Sequence, residues 1–270
     1  MNFLTDIMQV KEREVAQLRR STSERALIER ALSQAPARTF LSPRRAADEL
    51  LLIAEVKKAS PSKGAIKPGA DPAQTAVRYD AGLADAISVL TDKQFFSGSV
   101  DDFMRVREAT EKPLLRKDFL IDEWQVYEAR SIGADAILLI AAILDDGRLR
   151  ALYELAKELG MAALLEVHNQ EEAERLKAVG SPRYIGINNR DLHSFRVDLK
   201  TTESLLPSVR KLYPEAVVIS ESGISTPADA LRAKAAGADG LLVGEALMRQ
   251  GFDQVGDVIA SLKKAAGGGK

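Results

Sequence analysis

A chain of 270 residues, 46% hydrophobic and 29% charged, can bury a large core and fits one large domain or two small ones. It has no cysteine, which excludes thiol catalysis, cysteine-ligated zinc and a disulfide framework, and this fits a cytosolic protein. A formal net charge of -1 gives no global attraction to nucleic acid or to an anionic membrane.

The start, "MNFLTDIMQVKEREVAQLRR", lacks the basic, apolar and small-residue sections of a signal peptide. No apolar run nears the roughly 20 residues that a membrane span needs. The expectation is a soluble, cytoplasmic protein. Residues 1–48 read as a helical extension, with amphipathic helices at about 3–20 and 23–34. Phe3, Leu4, Ile7 and Met8 form its apolar face and are expected to pack on whatever follows.

From residue 50 onward, short apolar runs alternate with helical patterns. The runs are "LLIAEV" (51–56), "DAISVL" (85–90), "PLLRKD" (113–118), "DAILLI" (135–140), "MAALLEV" (161–167), "RYIGIN" (183–188), "AVVISES" (216–222) and "DGLLVGE" (239–245). Their spacing is that of βα units. Helical stretches such as "LRALYELAKELG" and "ADALRAKAAGADG" carry glycine where a helix ends. "GADAILLI" and "GADGLLVG" repeat one cassette, with "GLADAISVL" a looser copy. Eight units predict the α/β class and a single (β/α)8 TIM barrel over residues 49–262. An open doubly wound sheet is the alternative, but no G-x-G-x-x-G follows the first strand. The remainder, 263–270 ("KKAAGGGK"), reads as a frayed tail.

The polar exceptions fall at the strands' C-terminal ends, where a barrel places its active site. They are Glu55 and Lys57 on the first strand, Lys117 on the third, Glu166 on the fifth and Asn188 on the sixth. Glu221 and Ser222 end the seventh, and Gly244 the eighth. Alternation turns Glu55 with Lys57, Leu115 with Lys117, and Leu164 with Glu166 to common faces. Any one of them reads equally well as a solvated strand end, and a structural ion-pair network is the bland account of the set. Two lysines and several carboxylates facing one cavity form an acid/base group whose pKa values are shifted by one another and by burial.

A phosphate site is expected on the loops after strands seven and eight, "ESGIS" and "VGEALM", with "ASPSKG" after the first strand nearby. Gly223 and Gly244 allow close backbone approach, and Ser60 and Ser222 offer hydroxyls. Three further readings are plainer. His168 and His193 are too far apart for a local metal motif; His168, in a loop after Glu166, reads as an accessory to it or, more plainly, as a cap or surface residue. Asp191 is expected to lock the "NNRDL" loop through Arg190. Trp124, in a helical pattern with Tyr127, reads as packing.

"IAEVKKASPSKG", "AISVLTDKQFFSGS", "PLLRKDFLID", "GADAILLIAAIL", "LLEVHNQEE", "YIGINNRDL", "SESGIS" and "LLVGEALMR" occur in the order found in the indole-3-glycerol phosphate synthase family. The resemblance runs from about residue 50 to 250. It implies one (β/α)8 barrel of tryptophan biosynthesis. The reaction implied turns 1-(2-carboxyphenylamino)-1-deoxyribulose 5-phosphate into indole-3-glycerol phosphate, carbon dioxide and water, with no metal or organic cofactor. By motif, Lys117 resembles the general acid for ring closure and Glu166 the catalytic glutamate. Lys57 resembles the lysine of carboxylate binding and dehydration. Glu55, Asn188 and Glu221 match the polar shell around them. Ser60, Gly223, Gly244 and the backbone of Glu245 match the phosphate cradle. Phe96 and Leu192 match apolar contacts to the aromatic ring, and Arg190 a group near the substrate carboxylate. Ser222 and Leu242 complete the implied binding set. Leu83 departs from the pattern, where a small residue is commoner, and lies at the end of the barrel away from the chemistry.

Three other readings compete. A phosphoribosylanthranilate isomerase would be expected to use a Cys/Asp pair. A Schiff-base aldolase would attack through Lys117 or Lys57 and be trapped by borohydride. An inert or engineered phosphate-binding scaffold would bind without turnover. The partner expected is a small phosphorylated substrate, not nucleic acid or a membrane, and the chain is expected to be a monomer, unfused to the isomerase of the preceding step.

Overall fold

The apolar runs become strands because both of their faces meet other side chains. A computed structural model describes residues 3–42, 49–192, 194–251 and 253–264. The strands are β1 (Leu51–Val56), β2 (Ala86–Leu90), β3 (Leu114–Lys117), β4 (Ala136–Ile140), β5 (Ala162–Val167), β6 (Tyr184–Asn188), β7 (Val217–Glu221) and β8 (Gly240–Val243). All pair in parallel and in chain order, and β1 closes the ring by pairing Leu51 with Gly240 of β8 and Ile53 with Ala86 of β2. This is the (β/α)8 barrel that the spacing predicts.

The helices are α1 (Phe3–Ser21), α2 (Glu24–Leu32), α3 (Pro72–Ala81), α4 (Lys93–Phe96), α5 (Val100–Ala109) and α6 (Glu123–Ser131). They continue with α7 (Asp146–Glu158), α8 (Gln170–Arg175), α9 (Lys200–Leu212), α10 (Pro227–Ala235), α11 (Glu245–Met248) and α12 (Val255–Lys264). Among the described residues no helix is long and apolar enough to cross a membrane. A short hairpin, Ala59–Ser60 against Gly64–Ala65, occupies the loop after β1, where a plain loop is expected.

Alternation along each strand builds two apolar layers. Leu51, Ile53, Leu115, Leu138, Leu164, Ile219 and Leu242 fill the barrel interior. Leu52, Ala54, Ile87, Val89, Ile137 and Leu165 face the helices. The repeated Gly-Ala-Asp cassette has a physical basis. Gly133 and Gly237 end their helices at φ 83 and 104, a region open to glycine. The aspartate two residues on accepts a backbone amide of the preceding strand: Leu114 N donates to Asp135 Oδ2 at 2.8 Å and Val218 N to Asp239 Oδ2 at 2.7 Å. Asp85 in the looser copy does the same for Leu52 N at 2.8 Å. Leu83 holds φ 63, which explains why a small residue suits that position better.

The N-terminal segment spans both ends of the barrel. α1 lies over the C-terminal end, where Ile7 is fully buried and Phe3 packs edge-on against Phe95 and Phe195. Leu4 and Met8 are half-buried beside them. α2 packs on α6. Phe40 and Leu41 then enter the opposite end, where Tyr184 Oη donates to the Leu41 carbonyl at 2.9 Å. Residues 43–48 and 265–270, the latter most of the expected tail, lie outside the described residues, as does His193.

Candidate active site

The inward parity that buries Leu51, Ile53, Leu115 and Leu164 carries one or two residues further and turns polar. Glu55, Lys57, Lys117, Glu166, Asn188 and Glu221 therefore meet in one cavity of about 300 Å³ at the C-terminal ends of the strands. Ser60, Phe96, Arg190, Leu192, Ser222, Gly223, Leu242, Gly244 and Glu245 line the same cavity. The structure thus brings the expected catalytic and substrate-binding residues together around one cavity.

Lys117 Nζ sits between two buried carboxylates, 2.9 Å from Glu166 Oε2 and 3.2 Å from Glu221 Oε2. Asn188 Nδ2 donates to the other oxygen of Glu166 at 3.0 Å. Lys57 Nζ donates to Glu55 Oε1, its neighbour two residues back at the end of β1. Oε1 of Glu221 is buried and accepts no hydrogen bond among the described residues. Three of them, Lys117, Glu166 and Glu221, titrate far from their ordinary values. Burial would lower Lys117, but Glu166, Glu221 and Glu55 outweigh it and hold the ammonium well above the usual lysine range. Burial pushes Glu166 up, yet Lys117, His168 and Asn188 keep it well below the usual carboxylate range. Glu221 is the reverse: burial, with Glu166 and Glu55 nearby, outweighs Lys117 and raises it to about 7. One carboxyl is therefore locked as an anion and its neighbour exchanges a proton near neutrality.

The loops after β7 and β8 supply small residues and turned backbone. Ser222 and Gly223 take φ 65 and 81 in succession, and a Cβ on Gly223 would lie 2.7 Å from Val197. Asn189, buried and missed by sequence reasoning, fixes this turn. Its Nδ2 donates to the carbonyls of Glu221 at 2.9 Å and Ser222 at 3.0 Å, while its Oδ1 accepts from Thr202. Its signal was the second asparagine of "NNRDL", of opposite parity to Asn188. Arg190 reaches Ser62 Oγ at 2.9 Å, tying the β6 loop to the β1 loop. Asp191 turns its own loop by accepting from Ser194, a different device from the expected Arg190 pairing.

One more charged residue escaped notice. Lys11 of α1 is fully buried, 2.7 Å from both Asp92 Oδ2 and Asp118 Oδ1. His168, read as an accessory or as a cap or surface residue, is half-buried with its Nε2 3.3 Å from Glu166 Oε1, which favours the accessory position. Trp124 is half-buried, with the Arg19 guanidinium 5.7 Å from its ring.

The family model for indole-3-glycerol phosphate synthase matches residues 4–260. The chain is 45% identical to the indole-3-glycerol phosphate synthase of Laribacter hongkongensis, over 92% of this chain and 95% of that one. It is 43% identical to the enzyme of the same name from Variovorax paradoxus, over 97% and 99%. Among solved structures, 3-hexulose-6-phosphate synthase from Salmonella typhimurium superimposes with a TM-score of 0.60 at 14% identity. It covers 80% of this chain and 98% of that one, a likeness of fold alone.

Proposed function

Because this chain belongs to the indole-3-glycerol phosphate synthase family, we propose a division of labour within its cavity that runs the family's reaction step by step. The activity itself is that of a carboxy-lyase of tryptophan biosynthesis: ring closure, decarboxylation and dehydration of a phosphorylated carboxyphenylamino-deoxyribulose. The observation that carries the reading is the Lys117 ammonium held between Glu166 and Glu221, facing a second lysine across one cavity.

Ring closure joins the carboxylate-bearing ring carbon to the ketone carbon, and the ketone oxygen becomes strongly basic as it does so. An ammonium held above its usual range keeps its proton until such an oxygen forms and then delivers it. Lys117 fills that role, with Glu166 as the anion that aims it. Lys57 binds the substrate carboxylate, which leaves as carbon dioxide, and then assists departure of the hydroxyl. Glu221, near 7, takes up the proton released as the indole forms. Glu55 and Asn188 hold Lys57 and Glu166 in place. Phe96, Leu192 and Leu242 cover the aromatic ring, and Arg190 lies toward its carboxylate. Ser60, Ser222, Gly223, Gly244 and the Glu245 backbone receive the phosphate. Residues 1–48 form an extension that closes part of the mouth of a barrel spanning 49–262, and the enzyme works as a cytoplasmic monomer on this small substrate.

Single-turnover mass spectrometry tests the division. Lys117→Met should stop the reaction before carbon dioxide is released, with a loss of about 10²- to 10⁴-fold. Lys57→Met should weaken binding and let a ring-closed species accumulate. A ring-closed intermediate building up in Lys117→Met would reverse the two roles.

A further inference from the structure

Beside Glu166 stands a second charged pair that the reading above does not use. His168 continues the inward parity of β5 two residues past Glu166. Its Nε2 is 3.3 Å from Glu166 Oε1 and its Nδ1 is 3.0 Å from Glu172 Oε2. Nδ1 is within hydrogen-bond distance of Glu172, while Nε2 is buried without a hydrogen bond and makes an ion-pair contact with Glu166. With carboxylate oxygens, which only accept, on both sides, the surroundings favour the imidazolium carrying two N–H groups. The site is shielded: the side chains of His168 and Glu172 are 11% and 13% exposed, and that of Glu166 2%.

Glu172 is itself immobilised. It lies in the first turn of α8, where its Oε2 also accepts from the His168 backbone at 2.8 Å and its Oε1 from Asn169 Nδ2 at 2.7 Å. Its own amide is capped by Asn169 Oδ1 at 2.9 Å. A helix N-terminus favours the anion there. The charged groups facing His168 are Glu166 from β5 and Glu172 from α8, with Lys117 of β3 beyond Glu166. The result is a line of alternating charge, Glu172, His168, Glu166, Lys117, Glu221, that runs from the helix end into the cavity.

We propose that the His168–Glu172 pair is a positioning dyad for Glu166: it fixes that carboxylate and keeps it ionised, so that Lys117 stays protonated and aimed at the ketone. The inference rests on the reading that the Lys117–Glu166 pair delivers the first proton. Although burial opposes the charge, the two carboxylates raise His168 to about 10, which keeps the dyad charged throughout the neutral range. His168 does not line the cavity, so it acts through Glu166 and leaves substrate binding alone.

The test is the single-turnover rate of ring closure against pH, in full-length parent, His168→Leu, His168→Gln, Glu172→Gln and Glu166→Gln. Removing the imidazolium stabilises protonated Glu166, so the acid limb of the profile should move to higher pH in both His168 variants. His168→Leu should lose roughly 10- to 100-fold in rate, the scale seen when the partner behind a functional group is removed. KM should stay within about threefold of the parent. His168→Gln retains a donor without charge and should recover part of the rate but none of the pH shift. Glu172→Gln keeps an acceptor for the helix cap and should shift the limb less. If the His168 profiles superimpose on the parent while melting temperature falls, the dyad is structural only and the inference is overturned. Glu166→Gln separates the two levels: full ring-closure activity in that variant refutes the reading of the Lys117–Glu166 pair itself. An inactive Glu166→Gln beside unaffected His168 variants refutes only the dyad.

Discussion

Gly186, midway along β6, is paired across the sheet with Glu166 of β5 and Ile219 of β7, and a Cβ built on it would collide with Oε1 of Glu221. The glycine is what allows a second carboxylate to stand beside the first inside a closed barrel. Gly186→Ala must displace a buried side chain, and overpacking of this kind costs about 1–3 kcal/mol. Misplacing a reacting group by about 1 Å can cost roughly 10²-fold in rate. The variant should therefore show a lower urea midpoint and a kcat reduced at least about tenfold. Adding Glu221→Ala should restore the midpoint but not the rate. A single variant indistinguishable from the parent would mean that Glu221 owes its placement to something else. The same parity explains which residues were legible in the sequence. Glu55, Lys57, Lys117 and Glu166 announce themselves as charges spaced two apart at the ends of apolar runs. Gly186 carries no charge to notice, and His168 lies one residue beyond its strand, where a loop histidine reads more plainly as a cap or surface residue.

α1 shows the corresponding limit at the level of an element. Its apolar face is visible in the sequence, and Ile7, Val10 and Val15 are buried as that pattern requires. Lys11, on the same stripe, reads as the polar margin of the helix because a lysine is seldom fully buried unless paired. Glu14, one turn on, accepts from it at 2.8 Å, but only the fold reveals its two buried partners, Asp92 and Asp118, more than eighty positions away. Asp92 also caps α4 through the amides of Phe95 and Phe96, and Asp118 follows Lys117 directly. Lys11 thus ties α1 to the segment carrying Phe96 and to the end of β3. Burial would lower its pKa, but Asp118 and Asp92 raise it above the usual lysine range. Lys11→Met takes the ammonium from between two buried carboxylates and leaves Asp118 with Arg116, 3.4 Å away, as its remaining cation; removing one partner of such a group costs about 3–5 kcal/mol. We expect a lower unfolding midpoint together with a raised KM, as α1 loosens over the mouth. Replacing Lys11, Asp92 and Asp118 together by Met, Asn and Asn should recover much of the midpoint. Should the single variant keep the parent's midpoint and KM, the ion cluster does not hold the helix in place.

Across the whole molecule the two ends of the barrel use their charges oppositely. At the N-terminal end, Asp85, Asp135 and Asp239 each accept a strand amide and support the closed ring. At the C-terminal end three glutamates crowd two lysines, an arrangement that suits catalysis and loads the fold. The pH dependence of stability follows from the signs. Glu166 is held below its ordinary 4.5, so its contribution is present above pH 4.5 and is lost as pH falls. Glu221 is raised from 4.5 to about 7, so the folded state binds the extra proton between those values and stability declines as pH rises through that window. His168 is raised from 6.5 to about 10; its contribution is complete below 6.5 and is lost as pH climbs to about 10. Melting temperature should therefore fall steadily from about pH 5 to about pH 10. Glu221→Gln removes the lower part of that decline while Lys117 keeps Glu166 as a partner. At pH 8 the variant should be more stable than the parent by on the order of 1–3 kcal/mol, with much lower turnover. His168→Leu should instead flatten the upper part, from 6.5 to about 10, and be the less stable protein below it. Calorimetry across this range checks both. A Glu221→Gln variant that parallels the parent from pH 4.5 to 7 would show that this carboxyl is already ionised there, and the proton it is proposed to exchange would have to come from elsewhere.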